Sequence, residues 1–239
     1  MNASAAPLES PRRPVAEPAA DARASALLAF VAGFVDTAGF VALFGLFTAH
    51  MTGNLVLIGD SLATHRADIA GKLLAFPVFL AVVGATRLYE HRAARRGRDP
   101  AVPILVAEMV VLAAFLAAGV YFAPFVAAGA PGTILVGMLG VAAMSIQNAA
   151  SRSALAGHGP TTVMTGNVTQ VTMDLVDLAR GVEAAQAQAR LRKMAPPLLG
   201  FAIGAIAGGF GVVGFGFACL ACPLAALGLV VLWRRRRPG

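Results

Sequence analysis

Charge is the first thing this sequence is short of. Only 13% of its 239 residues are Asp, Glu, Lys or Arg, about half the ~25% of a soluble domain. A soluble domain of this length needs charge over most of its surface, and this chain does not supply it. Cysteine is equally scarce. Cys219 and Cys222 cannot build a disulfide framework or, alone, a structural zinc site; inside an apolar helix they read as small buried hydrophobes. The four histidines, His50, His65, His91 and His158, are dispersed with no metal-binding spacing, so neither metal nor cofactor is expected. There is no G-x-S-x-G, no P-loop and no nucleophile paired with a base, which argues against an enzyme. Low hydrophobicity, which disorder requires, is missing too, because 58% of the residues are hydrophobic. What remains is an integral membrane protein, with the lipid bilayer as its first partner.

Crossing a ~30 Å hydrocarbon core takes about 20 apolar residues as helix. Stretches at 26–47, 73–88, 102–122, 133–150, 198–213 and 215–233 qualify or nearly so. The second and fifth are short, so local adjustment is expected. The count is about six, within bounds of four and seven. Residues 1–24 hold no apolar run before Ala26, so they read as a disordered cytoplasmic tail and not as a cleavable signal peptide. A membrane domain over 25–233 and a basic tail over 234–239 complete the chain.

The net charge of +7 is a topology signal. With the N-terminus inside, the inner segments hold Arg12, Arg13, Arg23, Arg87, Arg92, Arg95, Arg96 and Arg98. They also hold Arg152, Arg180, Arg190, Arg192, Lys193, Arg234, Arg235, Arg236 and Arg237, so 17 of the 19 basic residues fall on one side. Only Arg66 and Lys72 lie outside. Both termini are therefore expected in the cytoplasm. The basic residues are scattered among membrane flanks without interleaved aromatics, so nucleic acid is not an expected partner.

Met-Thr-Gly-Asn occurs twice, at 51–54 and 164–167. Each copy follows a span with polar residues near its middle, Asp36 in the first and Gln147 with Asn148 in the fourth. Asp36 precedes Asn54 by 18 residues and Asn148 precedes Asn167 by 19. Lys72, Pro77 and Gly84 are echoed by Lys193, Pro197 and Gly204. The chain thus reads as two repeats, about 25–125 and 131–233, of three spans each. An odd number of spans inverts the second copy, the architecture of many secondary transporters. The expected fold class is all-α, a membrane bundle of two inverted three-helix repeats.

The paired Met-Thr-Gly-Asn motifs, Gly33-x-x-Asp36 in the first span and Gln147-Asn148 in the fourth together resemble the YoaK family, over about residues 24–233. The resemblance implies a six-helix bacterial inner-membrane protein. It carries no established activity, substrate or site residues.

Asp36 lies near the middle of its span, where an ionised carboxylate costs at least ~2.5–3.5 kcal/mol. It must face the bundle interior, as a proton or cation site or as a hydrogen-bonded tie between helices. No lysine or arginine falls at a similar depth, so a permanent ion pair is not expected. Glu108, some six residues into the third span, is a second candidate that could also reach the interface. Gln147 and Asn148 can both donate and accept, and with Asp36 they are expected around one central cavity; their alternative is interhelical glue. Thr52, Gly53 and Asn54, with Thr165, Gly166 and Asn167, could break a helix and offer backbone N–H groups to a substrate, or simply cap a membrane-edge turn. The stretch at 55–64 suits a re-entrant half-helix, whereas 168–180 is more amphipathic.

Other signals fail on context. Gly209, Gly211 and Gly214 form a literal G-x-G-x-x-G, but no strand precedes it and its setting is apolar. Gly200, Gly204 and Gly208 repeat every four residues, marking a close-packed helix face. His50, next to the first motif, is a candidate for tuning a pathway mouth. The function expected is transport of a small molecule or ion, with Asp36 as a site for proton coupling. The alternatives are a channel-like permease and a non-transporting scaffold or accessory subunit. Substrate and oligomeric state, including a homo-oligomer, stay open.

Overall fold

The computed structural model describes residues 18–162 and 164–236. Of the two expected tails, residues 1–17 and 237–239 lie outside that range. The rest of the first tail is helical, because α1 (Pro18–Ala42) begins in Ala-rich sequence and alanine is the strongest helix former. After α1 come α2 (Met51–Ala63), α3 (Ile69–Arg95), α4 (Ala101–Phe122) and α5 (Pro131–Ser151). The chain continues through α6 (Thr165–Arg180), α7 (Ala184–Phe215) and α8 (Ala221–Arg235). No strand occurs among the described residues.

Five stretches are long and apolar enough to cross a membrane: Ala22–Ala42, Ile69–Arg95, Ala101–Phe122, Pro131–Ser151 and the 52-residue Ala184–Arg235, which contains both α7 and α8. The molecule is a helical membrane bundle. The two spans that looked short in sequence belong to long helices. α3 has 27 residues and α7 has 32, about 40 and 48 Å at ~1.5 Å per residue. Their polar ends continue the helix past the apolar window.

α1 and α5 form the centre. Of their apolar windows 67% is buried, against 17% for α3. α1 packs on α7, α8 and α5; α5 packs on α3, α4 and α1. α4 lies against α8, α2 along α3 and α6 along α7. Gly200, Gly204 and Gly208 meet Ala26, Phe30 and Phe34 in that order, so α7 runs parallel to α1. A Cβ on any of the three would fall 2.2–2.3 Å from a carbonyl oxygen of α1. The backbones touch, and only glycine permits it. α5 runs the other way: Gly137 lies beside Leu46, while Gln147 reaches the Leu28 carbonyl. Beyond α7 the chain doubles back through a 3-10 turn, Gly216–Leu220. Gly119 then lies beside Phe217 and Gly228 beside Met109, so α8 is antiparallel to α4.

One part of the sequence echo has no counterpart in the packing. Pro197 and Gly204 are buried, whereas Pro77 and Gly84 sit on the exposed side of α3.

Candidate functional site

α1 ends at Ala42, and the chain turns at Phe44 and Gly45, with φ of 56° and 77°. Residues 46–50 then fold back beside α1. Asp36, only 3% exposed, receives them. Its Oδ1 accepts the Ala49 N–H at 2.6 Å and the Thr48 hydroxyl at 3.3 Å. Its Oδ2 lies 2.6 Å from His50 Nδ1. His50 keeps 30% of its side chain exposed and packs its ring near those of Phe47 and Phe201. The partner of Asp36 is thus a histidine brought in by the fold-back.

α5 repeats the device. Gln147 Nε2 donates to the Leu28 carbonyl at 2.7 Å and to Thr161 Oγ1 at 3.1 Å, while its Oε1 is buried without a partner among the described residues. Asn148, the next residue, is 8% exposed and points about 100° further round the helix. Leu28 and Asp36 are eight residues apart, about 12 Å along α1. Asp36 and Gln147 therefore occupy two separate polar nodes, and not one shared cavity wall.

The threonines at both nodes, Thr48 and Thr161, are not among the residues that polarity within the spans singles out. The repeated unit is longer than four residues: Thr48 and Thr161 each precede the motif methionine by three, giving T-x-x-M-T-G-N twice. That alignment was available in the sequence.

Within the motif, the asparagines are braces. Asn54 Oδ1 accepts the Phe47 N–H at 3.0 Å, and its Nδ2 donates to the Phe47 carbonyl at 2.8 Å. Asn167 Nδ2 donates to the Pro160 carbonyl at 3.1 Å. Both reach seven residues back. Proline has no N–H, so the second copy can make only half of the pair. Gly53 is covered by the Phe47 ring, 2.7 Å from where a Cβ would be, whereas Gly166 has open space. Thr52, Thr165 and Gly166 are exposed and line neither node. Glu108 is fully buried in α4, and neither carboxyl oxygen has a partner among the described residues.

Each short helix is fastened to the next one. Ser61, in α2, donates to Asp68, whose other oxygen accepts Lys72 Nζ at 2.5 Å. The Lys72 ammonium holds the Asp68 carboxyl below its ordinary range, helped by the Ser61 hydroxyl and opposed by burial. In α6, buried Asp174 accepts Arg190 Nε at 2.7 Å and Gln170 Nε2 at 3.0 Å. Ser61 and Asp174 both follow the motif asparagine by seven residues.

Two cavities lie away from both nodes. The larger, ≈ 270 Å³, is lined by Ala85, Thr86, Tyr89, Pro103 and Ala107, with Ile146 at its floor. The smaller, ≈ 10 Å³, lies beside Asp68 and Lys72. Neither is lined by Asp36, Gln147, Asn148 or the tetrapeptides. Among the described residues no group of three or more His, Cys, Asp or Glu side chains could hold a metal ion.

The chain is similar to UPF0700 transmembrane protein YoaK of Bacillus subtilis (strain 168), with 29% identity over 150 residues. The match spans 62% of this chain and 64% of that relative, a little under two thirds of its length. No solved structure matches. Residues 24–233 match the family described as "Protein of unknown function (DUF1275)". The doubled tetrapeptide, the apolar helices and this match over most of the length agree: the chain is a multi-pass membrane protein and belongs to the DUF1275 family, with YoaK as a relative.

Proposed function

We propose that the chain is a transporter of a small solute that crosses the bacterial inner membrane six times, as two inverted repeats, α1–α4 and α5–α8, with proton coupling at Asp36. The packing carries this reading. Exchange α1 for α5, α2 for α6, α3 for α7 and α4 for α8, and each main contact among these eight helices maps onto another or onto itself. α1 on α7 becomes α5 on α3, α1 on α8 becomes α5 on α4, and α2 on α3 becomes α6 on α7. The contacts of α1 with α5 and of α4 with α8 map onto themselves. Because α1 and α5 are antiparallel, the two halves are inverted. Six crossings follow once the 52-residue stretch is counted as two helices joined by a reversal.

Each half also holds a helix too short to span, α2 with 13 residues and α6 with 16, against the ~20 a crossing needs. Both begin within the repeated tetrapeptide, beside a polar node on a central helix. Broken helices of this kind carry the substrate and ion sites of many secondary transporters. Coupling is assigned to Asp36 because it is buried and His50 joins it to the exposed side. The conformation in hand is closed around it. No catalytic chemistry, cofactor or metal enters the reading, and both termini are assigned to the cytoplasm by the basic residues.

That closure favours a second reading, a non-transporting scaffold whose nodes only fasten loops. Comparing metabolites in cells with and without the protein would nominate a solute, and proteoliposomes would measure its uptake at two pH values. Uptake that depends on pH, with the dependence abolished in Asp36→Asn, is the expected result. Uptake indifferent to Asp36→Asn removes the coupling, and no uptake of any nominated solute favours the scaffold.

A further inference from the structure

α3 and α4 both rest on α5, and between them lies the ≈ 270 Å³ cleft floored by Ile146. Its walls are almost all carbon. The Thr86 hydroxyl is turned to its own helix, donating to the Val82 carbonyl, which leaves Tyr89 as the polar group at the end nearer the α3–α4 junction. Ala85, Tyr89, Pro103 and Ala107 sit on the exposed sides of their helices. The cleft therefore opens sideways into the bilayer. Its volume falls just below the ~300–1,000 Å³ of small-molecule sites, and its lining offers almost nothing to orient a polar solute.

The rim supplies the other half of the recognition. One turn beyond Tyr89 begins a run of arginines, Arg92, Arg95, Arg96 and Arg98, across the end of α3 and the α3–α4 junction. All four are exposed. None makes an ion pair with a described residue, whereas nearby Arg87 is neutralised by Glu90. An apolar slot open to lipid beneath unpaired cations matches one chemistry. We infer that the α3–α4 cleft is a binding site for an anionic phospholipid, with an acyl chain between the helices and the phosphate among the arginines. Basic pockets between membrane helices select anionic head groups in this way, while a zwitterionic lipid brings its own ammonium to oppose the arginines. This inference is independent of the transport reading.

The test uses the full chain, purified in neutral detergent, with native mass spectrometry counting bound phosphatidylglycerol and phosphatidylcholine. Phosphatidylglycerol is expected to bind at least about tenfold more tightly. Replacing the four arginines together with glutamine should bring it down to the phosphatidylcholine level. Ala107→Phe, which fills the cleft and leaves every arginine in place, should also lose the bound lipid; Ala85→Leu does the same from the opposite wall if the first variant does not fold. On the unaltered protein, phosphatidylglycerol with a photoreactive acyl chain should cross-link within residues 85–107 or at Ile146. Equal binding of the two lipids overturns the site. So does phosphatidylglycerol binding that survives both cleft-filling variants, which would be attraction to surface charge alone. Cross-links that map elsewhere overturn it as well.

Discussion

Asn54 and Asn167 hold the same place in a repeated tetrapeptide but do unequal work. Asn54 satisfies both the N–H and the carbonyl of Phe47, and Asn167 satisfies a single carbonyl. A buried group left without its partner costs about 1–3 kcal/mol. Asn54→Ala should therefore lower the thermal midpoint in detergent clearly more than Asn167→Ala. Thr52→Ala and Thr165→Ala, at exposed positions, should stay within about 0.5 kcal/mol of the parent. Equal losses for the two asparagines would contradict the brace. Asp36 makes the limit of sequence reasoning concrete at this scale. Its burial was legible, because a lone carboxylate in an apolar span must turn inward. Its partner was not, because His50 is 14 residues away and arrives only through a reversal at Phe44 and Gly45.

At the scale of elements, the short helices depend on the ties that fasten them to the long ones. The Asp68 carboxyl is held below its ordinary range chiefly by Lys72. A depressed carboxyl contributes stability that is present above its unfolded value and lost as pH falls through the folded one. Acidification should thus loosen the α2–α3 corner before the α1–α7 pair. Hydrogen exchange over residues 60–72, corrected for the intrinsic rate, should show protection fading below the ordinary carboxylate range. Asp68→Asn should abolish that acid dependence, at the cost of leaving the Lys72 ammonium, 3% exposed, without its anion. Helix lengths were only partly readable. The apolar window at 73–88 marks what lipid covers, whereas α3 runs over Ile69–Arg95 because nothing in its polar ends stops a helix. The doubling of the tetrapeptide is legible in the sequence, but the face each helix buries is not, as exposed Pro77 and buried Pro197 illustrate.

For the whole molecule, the proposed orientation rests on the distribution of charge. Single cysteines in a background lacking Cys219 and Cys222 test the orientation. Thr64→Cys and Gly129→Cys should be labelled from one side of the membrane, and Arg98→Cys and Val182→Cys only from the other. Positions 64 and 98 labelled from the same side would rule out a crossing by α3, and with it the six-pass arrangement.

The glycine-to-carbonyl contact between α1 and α7 has a consequence for biogenesis. Gly200 follows Ala26 by 174 residues, so at about 5–20 residues per second the ribosome needs roughly 9–35 s between them. Throughout that interval the first helix is already made while the helix shaped to cover it has not yet emerged. The face of α1 that carries Ala26, Phe30 and Phe34 must be sheltered meanwhile by lipid, by the α5 that is made in between, or by the insertion machinery. A chain stopped short of α7 should therefore leave α1 open to whatever intramembrane quality control samples unpaired helices.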